Sequence, residues 1–320
     1  MRKLLIVLLV LVLLGGGAAW YAKQAWQQPG PLPAAAAIVV QRGSTDSIGQ
    51  ALAERGVIAD PRAFMLATWL TRDQGPLRAG EFLFPAAAPL REVLDVLRRA
   101  RPVQRLLTLP EGLTAQQLTA LVQQAEGLTG DTPAIDEGEV LPETYAYVWG
   151  DSRAGLLRRA TAAMQARLEG LWKDRAPDLP LGSAREALVL ASIVERETGK
   201  PEERPRVAGV FINRLRRGMP LQSDPTVAYA AADGGVLGRP LSRADLDRDH
   251  PFNTYRNRGL PPGPIASPGI ESLRAVLRPM ATEDLFFVAD GSGGHAFAAT
   301  LEEHNRNVAR WRALERGRTP

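Results

Sequence analysis

The stretch SAREALVLASIVERET, residues 183–198, decides how this chain is read. Ser183 and Glu186 stand in the S-x-x-E spacing of a capping box, in which each side chain satisfies a free backbone N–H at a helix start. Residues 187–194 are almost all apolar, so no face of the helix suits water and the element is expected in a core. Gly199 offers a left-handed C′ position, and Pro201 lies just beyond. Glu195 falls in the last turn. At about 100° per residue it projects among Leu188, Ala191 and Ser192, on an apolar strip. Desolvation and the negative end of the helix dipole both raise the pKa of an acid in such a place. A carboxyl group kept protonated near neutrality is what general acid catalysis needs. Glu197 lies opposite on the same helix, and helical geometry alone does not choose between the two acids. A salt bridge to an arginine such as Arg214 would instead make the buried acid structural.

Outward from this helix the chain reads as α+β. Residues 38–40 form a short strand, and 42–45 turn into a helix with core face Ile48 and Leu52 and a stop at Gly56. Pro61 starts a helix to about residue 71. A strand at 80–85, an amphipathic helix at 90–100 and a strand at 103–109 follow. VVQRGSTDSIGQAL (39–52) and LTLPEGLTAQQLTAL (107–121) are two similar βα units, not a solenoid, which needs three or more copies. A polar loop at 128–139 leads into 140–147, and helices are expected at 153–174 and 203–217, the second closed by Gly218. Beyond residue 219 the chain becomes loop-rich. The prolines from Pro251 to Pro268 stiffen a segment too long for a simple connection, as in the wall of a binding cleft. Strands at 285–289 and 295–298, joined by a Gly-Ser-Gly-Gly turn, and a helix over 301–314 finish the chain.

With 320 residues there is room for one large or two ordinary domains, and 45% apolar against 23% charged residues excludes disorder. The absence of cysteine excludes disulfides, thiol catalysis, cysteine-zinc sites and a lipid-modified N-terminal cysteine. A net charge of +4 comes from dispersed arginines without a basic run, so no nucleic-acid partner is expected. His250, His295 and His304 are scattered and no H-E-x-x-H occurs, so no metal is expected. No P-loop, dinucleotide fingerprint or G-x-S-x-G is present, and no cofactor is expected. Residues 4–22 carry no charge, just enough to cross a bilayer, with Arg2 and Lys3 on the cytoplasmic side and Trp20 and Tyr21 at the far interface. They read as a single-pass anchor with the remainder outside the cytoplasm. The small residues 15–19 leave a cleaved signal peptide as the alternative. Residues 23–37 form a linker.

Other candidate groups are fewer. Asp224, in Gln222-Ser223-Asp224-Pro225-Thr226, is a capping or a catalytic carboxylate, and Glu143 is a loop or capping acid. Asn253, Thr254 and Tyr255 supply hydrogen bonds and one flat ring, suited to sugar and equally to an ordinary polar loop.

LASIVERET (190–198), VFINRLRRGMPLQSDPTVAYA (210–230), LSRADL with NTYRNRGLPPGPIASPG (241–269), and LFFVADGSGGHAF with EHNRNV (285–308) resemble the endolytic murein transglycosylase family, MltG/YceG-like. The likeness runs from about residue 106 to the end. It implies a membrane anchor, a small LysM-like peptidoglycan-binding domain at 38–104, and a mixed α+β catalytic domain at 105–320, on the periplasmic side of the bacterial inner membrane. The family's catalytic glutamate, in IVE-x-ET, falls on Glu195. Its Q-S/T-DPT motif falls on Gln222, Ser223, Asp224, Pro225 and Thr226, and NTY on Asn253, Thr254 and Tyr255, as residues that line the substrate cleft. The usual Gly-x-L-x-Pro-[DE]-T-Tyr reads Glu139 to Tyr145 here, with Gly138 in front, which leaves that loop's conformation open.

The implied reaction is cleavage of the MurNAc–GlcNAc β-1,4 bond in nascent glycan strands, giving 1,6-anhydro-MurNAc ends and terminating strand elongation. Glu195 would act as acid and then base, and peptidoglycan synthases would be partners. Two rivals are a membrane-tethered peptidoglycan-binding scaffold without turnover, and a hydrolase with Glu195 and Asp224 as a carboxylate pair.

Overall fold

The structure, a computed structural model, describes residues 26–318 and, before them, Gly16, Gly17, Trp20, Lys23 and Gln24. Among the described residues no helix is long and apolar enough to cross a membrane. The span expected at 4–22 lies outside them apart from Gly16, Gly17 and Trp20. The chain divides into two units, the first running to Arg105 and including 126–128 and 146–151, the second holding the rest.

In the N-terminal unit, β1 (Ala36–Val40) pairs antiparallel with β2 (Gly80–Phe84), Ile38 opposite Phe82 and Val40 opposite Gly80. Strand alternation turns Ile38 and Val40 inward, where Phe82 and Phe84 are also buried. Helices α1 (Thr45–Glu54), α2 (Pro61–Leu70) and α3 (Leu90–Arg99) supply the rest of the core. Ser44 caps α1 by accepting the Ser47 N–H at 3.1 Å, and Asp60 caps α2 by accepting the Arg62 N–H at 2.8 Å with Pro61 at N1. On α3, Leu90, Val93, Leu94 and Leu97 recur at helical spacing and are buried with Leu52 and Phe64. Burial of each such side chain contributes about 1.5–3 kcal/mol.

The second unit is organised around one helix. β3 (Gln104–Thr108) pairs with β4 (Thr144–Val148), each strand being divided between the two units; α4 (Ala115–Gln124) lies between them in sequence and α5 (Arg153–Lys173) follows, both in the second unit. Next comes α6 (Ala184–Glu197), in which every residue from Ala187 to Val194 is buried. It packs against α5 and against α7 (Arg204–Arg216), α8 (Asp224–Ala231) and α10 (Ile270–Leu277); α9 (Arg243–Asp247) packs on α8. An antiparallel hairpin, β5 (Phe286–Ala289) and β6 (His295–Ala298), precedes α11 (Leu301–Arg318). Phe211 of α7 meets Phe287 of β5 edge-on at 5.8 Å. The architecture is mixed α+β, as the sequence implies.

Several local expectations needed correction. The α6 cap is half a capping box: Ser183 accepts the Glu186 N–H at 3.2 Å, but the Glu186 carboxylate reaches back to the Gly182 N–H at 2.7 Å. Gly199 does not take the left-handed conformation. The helix ends instead at Thr198 in an extended conformation, its hydroxyl accepting the Lys200 N–H at 3.1 Å. The region after residue 219 holds three short helices, α8, α9 and α10, where loops were expected.

Candidate active site

Glu195 is placed in the last turn of α6 with a side chain only 5% exposed. It is not the unpartnered acid that its apolar strip implies. Its Oε1 accepts from Arg204 Nη2 at 3.0 Å, and its Oε2 accepts the Gly269 N–H at 2.9 Å. The backbone has to reverse after Thr198 for this to happen: a 3-10 turn at Pro201–Glu203 leads straight into α7, so Arg204 is its first residue and points back at α6. Gly269 is the N-cap of α10, and its N–H is one of the donors a helix start leaves free. The expected arginine, Arg214, is not the partner. It is buried, and its guanidinium donates to the carbonyls of Leu285 and Leu221, at 2.6 and 2.7 Å.

A second carboxylate joins the group. Glu111 Oε2 lies 3.3 Å from the same Arg204 Nη2. The turn that carries it is zipped to the end of the proline-rich segment: Gly112 N–H donates to Ser267 C=O and Ser267 N–H to Leu113 C=O, both at 2.9 Å. Arg196, next to Glu195, donates to Gly112 C=O at 3.0 Å. A Cβ at Gly269 would overlap the Glu111 carboxylate, the far end of a flexible side chain. Burial, and after it the charge of Glu195, push the Glu111 carboxyl above its ordinary value against the pull of Arg204.

Glu197 belongs to a different network. Its Oε1 accepts from the Ser223 hydroxyl at 2.5 Å, and burial raises it to about 7, with the charge of Asp224 adding to the effect. Ser223 in turn donates its N–H to Thr254 Oγ1 at 3.0 Å, and Thr254 Oγ1 lies 2.8 Å from Thr226 Oγ1. Gln222, held with φ +51°, donates its N–H to Thr254 C=O at 3.1 Å, and Tyr255 donates to Asp224 Oδ1 at 2.7 Å. Asn253 is fully buried and spans a loop, donating to the carbonyls of Leu246 and Arg248 and accepting the Tyr255 N–H. The two motifs picked out in the sequence thus interlock side chain to backbone. Asp224, Gln222 and Tyr255 keep exposed or half-exposed surface, whereas Ser223, Thr226, Asn253 and Thr254 are buried and serve as scaffold.

The loop with the altered glycine spacing is shaped by Gly138. Gly138 takes φ +78° and has Pro264 against the position a Cβ would take, so a glycine is required there. Among the described residues no group of three His, Asp or Glu could hold a metal ion. Sequence reasoning missed Glu111, Arg204 and Gly269. The Pro110-Glu111-Gly112 turn after a strand was visible as half of the βα repeat, but nothing local ties it to α6.

The similarity to known proteins runs over residues 38–310, which match the YceG-like family. The chain belongs to the YceG-like family. It is 29% identical over 321 aligned residues to the endolytic murein transglycosylase of Streptococcus pneumoniae serotype 2 (strain D39), covering 85% of this chain and 57% of that one. It is 37% identical over 175 residues to the endolytic murein transglycosylase of Bacillus subtilis strain 168, covering 53% of this chain and 46% of the relative. The chain thus spans about half the length of the curated relatives it matches. A crystal structure of a yceG-like protein from Listeria monocytogenes aligns with a TM-score of 0.53 at 26% identity, over 86% of this YceG-like chain and 99% of the other.

Proposed function

We propose that this chain is a peptidoglycan lytic transglycosylase that cleaves the MurNAc–GlcNAc β-1,4 bond within glycan strands, with Glu195 as the one catalytic carboxyl. The observation that carries the reading is the setting of Glu195: a nearly buried acid at the end of a core helix, held by Arg204 and the Gly269 N–H, in a chain whose relatives are named endolytic murein transglycosylases.

The mechanism needs no water. Protonated Glu195 donates to the leaving glycosidic oxygen as an oxocarbenium-like centre develops at C1 of MurNAc. The carboxylate so formed takes the proton from the MurNAc C6 hydroxyl, whose oxygen closes on C1. The acid is regenerated and the product carries a 1,6-anhydro ring. Because nucleophile and electrophile belong to one sugar, proximity supplies the advantage that a second carboxylate gives a hydrolase. Arg204 and the Gly269 N–H fix both oxygens of Glu195, so the same atom is presented in both half-steps.

The exposed edge formed by Gln222, Asp224 and Tyr255 contributes hydrogen bonds and a flat ring to the glycan. Asp224 is held by Tyr255 and faces the Glu197 network, which speaks against a Glu195–Asp224 hydrolytic pair. Residues 4–22 anchor the protein in the inner membrane with the rest periplasmic, the unit around β1 and β2 is a LysM-like peptidoglycan-binding module, and synthases that extend the strand are the protein partners. Mass analysis of products from purified peptidoglycan tests the reading: anhydro-MurNAc ends support it, and reducing MurNAc ends convert it to a hydrolase.

A further inference from the structure

Arg204 serves two acids with one nitrogen. Nη2 stands 3.0 Å from Glu195 and 3.3 Å from Glu111, and the Glu111 carboxyl also fills the space over Gly269, whose N–H donates to Glu195. The two carboxyls differ in access, since the Glu195 side chain is 5% exposed and that of Glu111 43%. From this geometry we infer that Glu111 is a positioning residue for Glu195, keeping a proton available to the buried acid by competing with it for Arg204.

With both acids ionised the trio carries a net charge of −1, and one proton neutralises it. Two carboxyls that face each other across one cation titrate as a pair, and the first proton belongs to the pair. A lone Glu195–Arg204 ion pair is already neutral and has no such excess charge for a proton to cancel. Glu111 therefore supplies the like charge that makes the cluster hold a proton, and its greater exposure makes it the point of exchange with solvent.

The other charged groups around the cluster do not substitute for it. Glu271, on α10, adds a weaker like charge at Glu111 and is itself paired with Arg274 at 2.6 Å. Arg196 of α6 is turned to Gly112 C=O, and Glu203, next to Arg204, is taken by His295 Nδ1 at 2.7 Å.

This inference rests on the reading of Glu195 as the acid, so its test includes Glu195→Gln beside the full chain and the variants Glu111→Gln, Glu111→Asp and Gly269→Ala. Release of soluble fragments from purified peptidoglycan is followed across pH 4–9, with circular dichroism to confirm folding. Glu111→Gln removes the competing negative charge at Arg204, so the alkaline limb of the profile moves to lower pH by about one unit or more, and activity returns on acidification. Glu111→Asp, which keeps the charge, moves the limb less. Gly269→Ala has an ordinary backbone conformation (φ −74°) and displaces only the far end of the Glu111 side chain, so it reproduces the Glu111→Gln shift without a mutation at Glu111. An unmoved limb in Glu111→Gln, or an equal loss of activity at every pH, overturns the inference. If Glu195→Gln stays active, the acid assignment itself fails; if it is dead while Glu111→Gln keeps the wild-type limb, only the role of Glu111 fails.

Discussion

Glu195 and Glu197 stand two residues apart at the end of α6 and are held by separate partners, Arg204 with the Gly269 N–H for the first and the Ser223 hydroxyl for the second. One helix end thus carries an acid in the candidate reaction centre and another that fastens the Gln222–Thr226 segment to the core. The apolar run before them fixes the backbone from which both project, since every residue from Ala187 to Val194 is buried.

The second acid makes stability depend on pH. Its ordinary value is 4.5 and burial raises it to about 7, so the folded chain binds this proton more tightly than the unfolded chain does. Its stabilising effect is full below about pH 4.5, is lost as pH rises toward 7, and is absent above that. Glu137, also raised to about 7 by burial, acts in the same direction. Glu197→Gln, which still accepts from Ser223, should match the wild type in urea unfolding at pH 4.5. At pH 8 it should be more stable by roughly 3 kcal/mol at most. An equal difference at both pH values would show that Glu197 does not titrate in this window.

Thr254 is the junction between the two sequence motifs. Its hydroxyl takes the Ser223 N–H and bonds to Thr226 Oγ1, with all three residues buried. Thr254→Val keeps the shape and leaves the Ser223 N–H without its acceptor, at about 1–3 kcal/mol, while Thr226 Oγ1 keeps its bond to the Ser223 carbonyl. Thermal unfolding should show the loss, and turnover should fall with it because Asp224 opens α8 directly after Ser223 and Tyr255 directly follows Thr254.

How much of this could be read in the chain follows from range. The buried helix, its Ser183 cap and the two candidate acids were legible because capping and periodicity are local. The partner of Glu195 was not. Arg204 and Arg214 both lie on the next helix, and the 3-10 turn at Pro201–Glu203 brings the first rather than the second onto α6. Glu111 is invisible for the same reason, since its approach depends on backbone hydrogen bonds between residues 112–113 and Ser267. The eight residues of α10 follow directly on a proline-rich stretch and are too few for periodicity to declare a helix; packing against α6 and α7 stabilises it.

In the N-terminal unit, Arg105 offers a contrast within one side chain. It grips Glu81 with two nitrogens, Nε at 2.7 Å and Nη2 at 3.1 Å, where the carboxylate is 9% exposed. Its third nitrogen reaches Glu126 at 2.8 Å, where the carboxylate is 74% exposed. Arg105→Met leaves Glu81 buried without its cation and should cost about 2–3 kcal/mol in denaturant unfolding, while Glu126→Gln should cost less than about 0.5 kcal/mol. Equal costs would mean that burial does not set the worth of these pairs.

Replacement of the acid itself separates catalysis from attachment. In Glu195→Gln the amide oxygen still accepts one of the two donors, and Arg204 keeps Glu111, so the change leaves one poor contact and the fold should survive a loss of about 1–3 kcal/mol. On the proposed mechanism the proton for the glycosidic oxygen is then gone, and so is the base for the C6 hydroxyl. General acid–base groups contribute about 10²–10⁴ in rate, and one residue serving both half-steps places the expected fall in turnover at the upper end. Co-sedimentation with peptidoglycan should be unchanged, since neither the N-terminal unit nor the Asp224–Tyr255 edge is altered. A scaffold without turnover predicts the same binding but no new glycan ends from either protein. The comparison therefore has to be made on chain ends, counted as anhydro-MurNAc termini per unit time in wild type and variant side by side.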